Sequence, residues 1–377
     1  MSKSDNEHQL GVLSQPTVQF ALATAVLLTA AVMIPAFPDE LARIELARTL
    51  IATGSYNFFW PPLTVLLPAM NPMLDFGYIP VRILQLALAM PVIYFLAEMK
   101  KSVIQAALLV LVLPYLSLIL STSTPQGLMF SFLGLLILRP RYSTATKAIL
   151  ISLSCAANPA LIAIIVAGYA ALFFMKRVDW KDIVAVSAGI LLLAPWVFWG
   201  WSETGEVIWT LSTNGSANLF LGNNPHPLSY RAAGDLDEVV TRWSLPGTAS
   251  YTDAVLEYWK REPVDFVTNL AYKFIHFPLP TDHLWSVEGS WKMGLAAVFV
   301  GVTQVMIYLA FVYRAWTHPV TKSIMIALAL FLATWLFHTV FFVKVRYRIP
   351  FDVLLLLAIF ADRDIHSTSS ATDDALR

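Results

Sequence analysis

Apolar residues run along this chain in long blocks, and block length sets the first expectation. A helix needs about 20 mostly apolar residues to cross about 30 Å of hydrocarbon. Runs of that kind lie near 17–36, 79–98, 103–120, 125–138, 183–201, 293–313, 322–342 and 349–361. The run 148–174 is long for one helix and carries Asn158-Pro159 at its middle. Proline disfavours helix in the residue before it, so the expectation there is two shorter helices meeting at the dipeptide.

The polar stretches between the blocks then orient them. Short loops rich in Lys and Arg stay cytoplasmic. Lys100-Lys101, Arg139 with Arg141 and Lys147, Lys176 with Arg177 and Lys181, and Arg314 with Lys322 mark four such loops, while the short loop 121–124 has no charge. All four fall on one side only if 148–174 crosses twice. The pattern predicts an all-α polytopic membrane protein of about ten transmembrane helices, both termini inside, forming one domain over 1–377. Two polar segments then face outward, roughly 37–78 and 202–291, and carry short amphipathic helices. Thr252 is the expected cap of one running through Lys260, and Pro263 opens another running to Phe277. Both segments are expected to lie on the membrane surface against the bundle.

Composition agrees with this class. Hydrophobic residues make up 57% of the 377 positions and charged residues 13%, about half the roughly 25% of a soluble domain. The 25 basic and 25 acidic residues cancel, so nothing points to nucleic acid. The one cysteine, Cys155, sits in an apolar run and forms no internal disulfide. The first sixteen residues have no basic n-region and no small-residue cleavage site, so the first apolar run reads as an uncleaved anchor. No internal repeat is visible.

Candidate chemistry is confined to a few places. Lys344-Val345-Arg346-Tyr347-Arg348-Ile349-Pro350 puts three cations at the outer end of a helix pair. They are either snorkelling anchors or an anion site, since guanidinium groups make forked hydrogen bonds to phosphate oxygens and lysine adds a point charge. Asp39-Glu40 follows the first apolar run and opens a helix-like stretch to Ile51, ahead of Gly54 and Trp60-Pro61-Pro62. Two carboxylates at a helix N-terminus are also a common, purely local arrangement. Thr213 through Pro225 is dense in Asn and Gly and reads by composition as a tight loop. Asp352 and His338, in or beside apolar runs, are either functional or paired structural groups. Trp60 and Phe58-Phe59 either line a way in for a lipid or anchor at the interface.

In this order the features resemble the C superfamily of membrane glycosyltransferases, in particular the branch related to protein O-mannosyltransferases and the aminoarabinose transferase of lipid A. Asp39-Glu40 with Gly54 and Pro61-Pro62 is similar to their first outer loop. Asn218 through Pro225 resembles their N-x-x-x-G-N-N-P run, and Arg346-Tyr347-Arg348-x-Pro350 their arginine–tyrosine–proline turn. The likeness covers most of the chain in topology and about forty residues in motif.

The resemblance implies inverting transfer of a sugar from a polyprenyl-phosphate donor to a lipid, glycan or protein acceptor, in a bacterial inner membrane with the site facing the periplasm or exterior. It implies Asp39, with Glu40, as the catalytic carboxylate. Lys344, Arg346, Tyr347 and Arg348 become the donor-phosphate site, and Asn218, Asn223 and Asn224 the substrate loop. Some relatives need a divalent metal and others do not; here Ser121 through Gln126 lacks the further acid many of them carry, and Gln126 is left to orient a substrate. Two other classes remain: a lipid or sugar-lipid transporter, which calls for matching broken helices in two halves, and a catalytically silent scaffold of the same fold.

Overall fold

The computed structural model describes residues 15–71, 73–98, 112, 116–117, 119–122, 124–139, 141–205, 207–208, 211–225, 250–279, 291–317, 319–341 and 345–361. Among these, helix is the only extended regular structure. In chain order the helices are α1 (Pro16–Met33), α2 (Pro38–Thr53), α3 (Pro62–Ala69), α4 (Tyr78–Glu98), α5 (Pro125–Leu138), α6 (Thr144–Ala157), α7 (Ala160–Phe174) and α8 (Trp180–Leu191). Then follow α9 (Ala194–Thr204), α10 (Asn214–Gly222), α11 (Tyr251–Arg261), α12 (Pro263–His276), α13 (Trp291–Thr317), α14 (Lys322–Val340) and α15 (Val345–Ala361). Among the described residues five segments are long and apolar enough to cross a membrane: Pro16–Met33, Tyr78–Phe95, Trp180–Thr204, Val298–Thr317 and Lys322–Val340. The expected run 103–120 lies mostly outside the described residues.

Helix ends follow local chemistry. Proline stands in the first turn of α1, α2, α3, α9 and α12, where its missing N–H costs nothing. Gly54 closes α2 in the left-handed conformation at φ 70°, which glycine adopts without a Cβ clash. Asn158 is extended at φ −142° and ψ 101°, as a residue before proline should be, and separates α6 from α7. The single run expected at 183–201 is interrupted where α8 gives way to α9, with Pro195 in the first turn of α9. The expected cap at Thr252 is corrected to Ser250, whose hydroxyl accepts from the Asp253 amide.

The loop expected at 213–225 is also corrected: Asn214 through Gly222 is helical. Ala217 and Phe220 are buried, and Phe220 packs with Ala254 and Val255 of α11. Burying an apolar face outweighs the weak helix propensity of Asn and Gly, each less than about 1 kcal/mol per residue.

The core centres on α5, apolar on every side and buried over nearly its whole length, which is what an all-round hydrophobic helix requires. It packs against α4, α6 and α15, and α14 lies between α7 and α15. Helix α8 crosses α6 closely at Gly189, where an added Cβ would stand 2.7 Å from the Ala148 carbonyl oxygen.

Ion pairs settle which helix ends lie together. Asp182, at the start of α8, accepts from Lys147 near the start of α6 at 2.7 Å and from Lys322 at the start of α14 at 2.5 Å. The starts of α6 and α8 therefore share one end of the bundle, so α6 and α7 run out and back as a hairpin that turns at Asn158-Pro159. The other end of the bundle carries the candidate site.

Candidate functional site

A cavity of about 440 Å³ opens at that other end. Its polar lining includes Asp39 and Arg43 of α2, Gln126 of α5, Asn158 from the α6–α7 turn, Asn218 of α10 and His338 of α14. Its apolar wall descends α7 through Ile162, Ala163 and Val166, and Val166 is 44% exposed on the flank of the bundle. Phe337, Phe341 and Tyr347 complete that side. Three stretches remote in sequence thus meet in one place: the start of α2, the asparagine segment, and the Tyr347 turn.

The position of Asp39 depends on its neighbour. Glu40 is buried, and both its carboxylate oxygens accept from Arg82 of α4, at 2.8 Å from Nε and 2.6 Å from Nη2. The other Arg82 donors reach the carbonyls of Ala31, Ile34 and Pro35. All five N–H groups of the guanidinium are engaged, in the bidentate geometry that makes Arg–carboxylate pairs strong. This clamp joins the end of α1, the start of α2 and α4. Successive residues on a helix point about 100° apart, so fixing Glu40 inward leaves Asp39, half-buried, against the cavity. Glu40, expected beside Asp39 as catalytic, has both carboxylate oxygens engaged by Arg82 and is not among the residues that line the cavity.

Arg43 was not foreseen. It sits one turn after Asp39 on the same face of α2, is 2% exposed, and lies with its guanidinium carbon 5.1 Å from the centroid of the Trp60 ring. The i, i+4 spacing from Asp39 was the available signal. It places one cation and one carboxylate side by side on the cavity wall.

Of the expected phosphate cluster, Tyr347 lines the cavity, its ring 5.0 Å from that of His338. Arg348 does not. It is buried, donating to Asp352, to Gln304 of α13 and to the carbonyls of Phe277 and Leu279. Asp352 in turn accepts from Tyr308 at 3.0 Å. Arg348 and Asp352 are therefore a structural pair tying α13, α15 and residues 277–279. Lys344 and the side chain of Arg346 lie outside the described residues.

The asparagines divide in the same way. Asn218 faces the cavity, whereas Asn223 and Asn224 are buried and close the end of α10. The Asn224 amide donates to the carbonyls of Phe220 and Leu221, and that of Asn223 to Leu219 and to Val340 of α14. Asn223 also accepts from Lys273 at 2.6 Å.

The two segments expected on the outer face are sewn together at the cavity rim. Thr213 donates its amide to the Phe58 carbonyl at 2.7 Å, and Trp196 donates its indole N–H to Leu211 at 2.9 Å. Phe58 and Leu211 both hold positive φ, 55° and 59°, a genuine outlier for bulky residues, of the kind that persists only where surroundings over-determine it. An aromatic cage does so here: Phe58 is fully buried among Tyr56, Trp196 and Trp199, with ring centroids 5.0–5.3 Å away. Burial pushes the Tyr56 phenol above its usual range, and its hydroxyl donates to the Trp60 carbonyl at 2.6 Å. Phe58 is thus a strut, and Trp60 is the residue of that stretch that meets the cavity.

Among the described residues no three His, Cys, Asp or Glu side chains converge as a metal-holding set. Asp39 is the sole carboxylate among the described residues of the cavity lining. Comparison with protein-family models, with curated proteins and with solved structures finds no match to this chain.

Proposed function

We propose that this chain is a polyprenyl-phosphate-dependent glycosyltransferase of the C-superfamily kind. The observation that carries the reading is the lining of the cavity: a carboxylate and a guanidinium share it with an apolar stretch of α7 that reaches the exposed Val166. A lipid-linked sugar phosphate is a polar head on a long apolar tail, and such a ligand is served by a polar cavity with an opening toward hydrocarbon.

The roles follow from the chemistry. The acceptor hydroxyl oxygen attacks the anomeric carbon on the face opposite the carrier, forming the new glycosidic bond as the bond to the phosphate oxygen breaks. Configuration inverts. Asp39 takes the hydroxyl proton, and the leaving electron pair stays on the carrier phosphate. Arg43, held against Trp60, meets that growing charge with forked N–H donors. Gln126, Asn158 and Asn218 offer hydrogen-bonding groups to sugar hydroxyls. Lys344 and Arg346, three residues and one residue before Tyr347 in sequence, remain proposed as further phosphate contacts.

The proposal includes ten crossings with the cavity at the periplasmic or exterior face of a bacterial inner membrane. The basic end stapled by Lys147, Asp182 and Lys322 then faces the cytoplasm. It also seats α12 in the outer leaflet: Val264, Val267 and Ile275 are exposed on it, and Phe274 stacks on Trp335 of α14 at 4.7 Å. Because Cys155 is buried, Lys260→Cys should be the labelled site for an impermeant thiol reagent applied outside intact cells. Ala145→Cys, at an exposed position on the basic end, should label only after permeabilisation, and the reverse pattern would invert the orientation.

The donor site has its own test. A polyprenyl monophosphate with a photoreactive group beside the phosphate should crosslink within Phe37–Arg43 and Asn158–Val166, and unlabelled carrier should compete. Crosslinks confined to exposed flanks such as α13, without competition, would remove this cavity as the carrier site.

A further inference from the structure

One buried cation takes no part in the proposed chemistry. Lys273 of α12 is fully buried, and its ammonium lies within hydrogen-bonding distance of four oxygens. These are Asn223 Oδ1 at 2.6 Å, the Gly222 carbonyl at 3.1 Å, the Val340 carbonyl at 3.1 Å and the Phe341 carbonyl at 3.0 Å. The first two belong to the end of α10 and the others to the end of α14. Helix C-termini present unpaired carbonyls and the negative end of the helix dipole. Two such ends converge here on one positive charge. Burial pulls the Lys273 pKa down to about 7. The four acceptors oppose that pull, because a neutral amine has two hydrogens to donate and the ammonium three.

The two elements tied in this way are both cavity walls. Helix α10 carries Asn214 and Asn218 on the lining, and the end of α14 carries Phe337, His338 and Phe341. Beyond the Lys273 cage they are joined by the Asn223-to-Val340 hydrogen bond, itself held in register because Lys273 engages Asn223 Oδ1. Asn269, one turn before Lys273, adds a bond to the Gly222 carbonyl at 2.8 Å. The opposite face of α12 is apolar and exposed.

We infer that Lys273 is a positioning residue: from the outer-segment helix α12 it sets the spacing of the α10 and α14 walls, and through that spacing the fit of the carrier head group. The ligand part rests on the function proposed above; the spacing part does not. The residue touches no reacting atom and acts through Asn218, His338 and Phe341.

Lys273→Met keeps an unbranched side chain as far as Cε and removes the ammonium. Nitroxides on cysteines at Ser216 of α10 and Leu336 of α14 report the wall spacing by pulsed electron resonance, with Cys155 buried and silent. The expected result is a displaced or broadened distance distribution in Lys273→Met. Affinity for polyprenyl monophosphate should fall about tenfold, as the loss of one hydrogen bond from a displaced wall implies, with the turnover rate at saturating donor largely kept. Asn223→Ala, which keeps the charge and loses one acceptor and the Val340 bridge, should give a smaller shift in the same direction and serves if Lys273→Met does not fold.

A distance distribution equal to that of the parent protein in both variants would overturn the inference. So would a changed distribution with unchanged carrier affinity, which would reduce Lys273 to a fold contact. If the parent protein binds no carrier, the proposed function fails and the distance measurement alone decides the spacing.

Discussion

Asp39→Asn is expected to abolish most sugar transfer while leaving the protein folded and the carrier bound. An acceptor hydroxyl is a weak nucleophile at neutral pH, and a positioned carboxylate that takes its proton typically contributes about 10²–10⁴-fold. Asparagine keeps the shape of the residue and one acceptor oxygen, and loses the charge and the basicity. The measurement is turnover at saturating donor beside carrier affinity for the same preparation. A fall in both together, with affinity carrying the loss, would make Asp39 a binding group and leave the base elsewhere.

Glu40→Gln is expected to act on the fold rather than on the chemistry. It leaves Arg82, whose side chain is fully buried, without its counter-charge, and removing one partner of a buried pair typically costs about 3–5 kcal/mol. That is a large part of a usual margin of about 5–15 kcal/mol. Arg82→Met should cost a similar amount, and Glu40→Leu with Arg82→Met should recover much of it, since neither charge is then stranded. Thermal unfolding of the purified single and double variants checks this. A Glu40→Gln protein as stable as the parent but inactive would return Glu40 to the catalytic site.

The contrast between Asp39 and Glu40 shows what sequence could and could not carry. Two adjacent carboxylates ahead of a helix marked the place, but nothing local distinguishes them; Arg82, 42 residues on from Glu40, does. Arg348 is the same lesson in reverse. A cation near a helix end beside Tyr347 has the makings of a phosphate contact, yet its donors are spent on Asp352, Gln304 and the carbonyls of Phe277 and Leu279. Tertiary partners decide such residues, and no spacing rule finds them.

Features set by short-range chemistry were legible. The break at Asn158-Pro159 follows from a missing N–H and a steric clash, and Pro263 opens α12 where a first-turn proline belongs. Helix α10 was hidden because Asn and Gly carry a turn signal that burial of Ala217 and Phe220 overrides. Arg43 was less legible because an arginine on a helix ordinarily faces water, whereas here it is buried and lines the cavity.

Transfer itself tests the central claim. Membranes containing the chain would be given polyprenyl monophosphates bearing labelled hexose or pentose, and the label followed from carrier to acceptor. The expected result is label leaving the carrier with inversion at the anomeric carbon, at a rate that Arg43→Ala lowers by roughly ten- to a hundredfold through the loss of charged hydrogen bonds to the phosphate. Label that stays on the carrier with every donor, in membranes where the same carrier crosslinks to Asn158–Val166, would contradict the account and leave a lipid-binding protein without transferase chemistry.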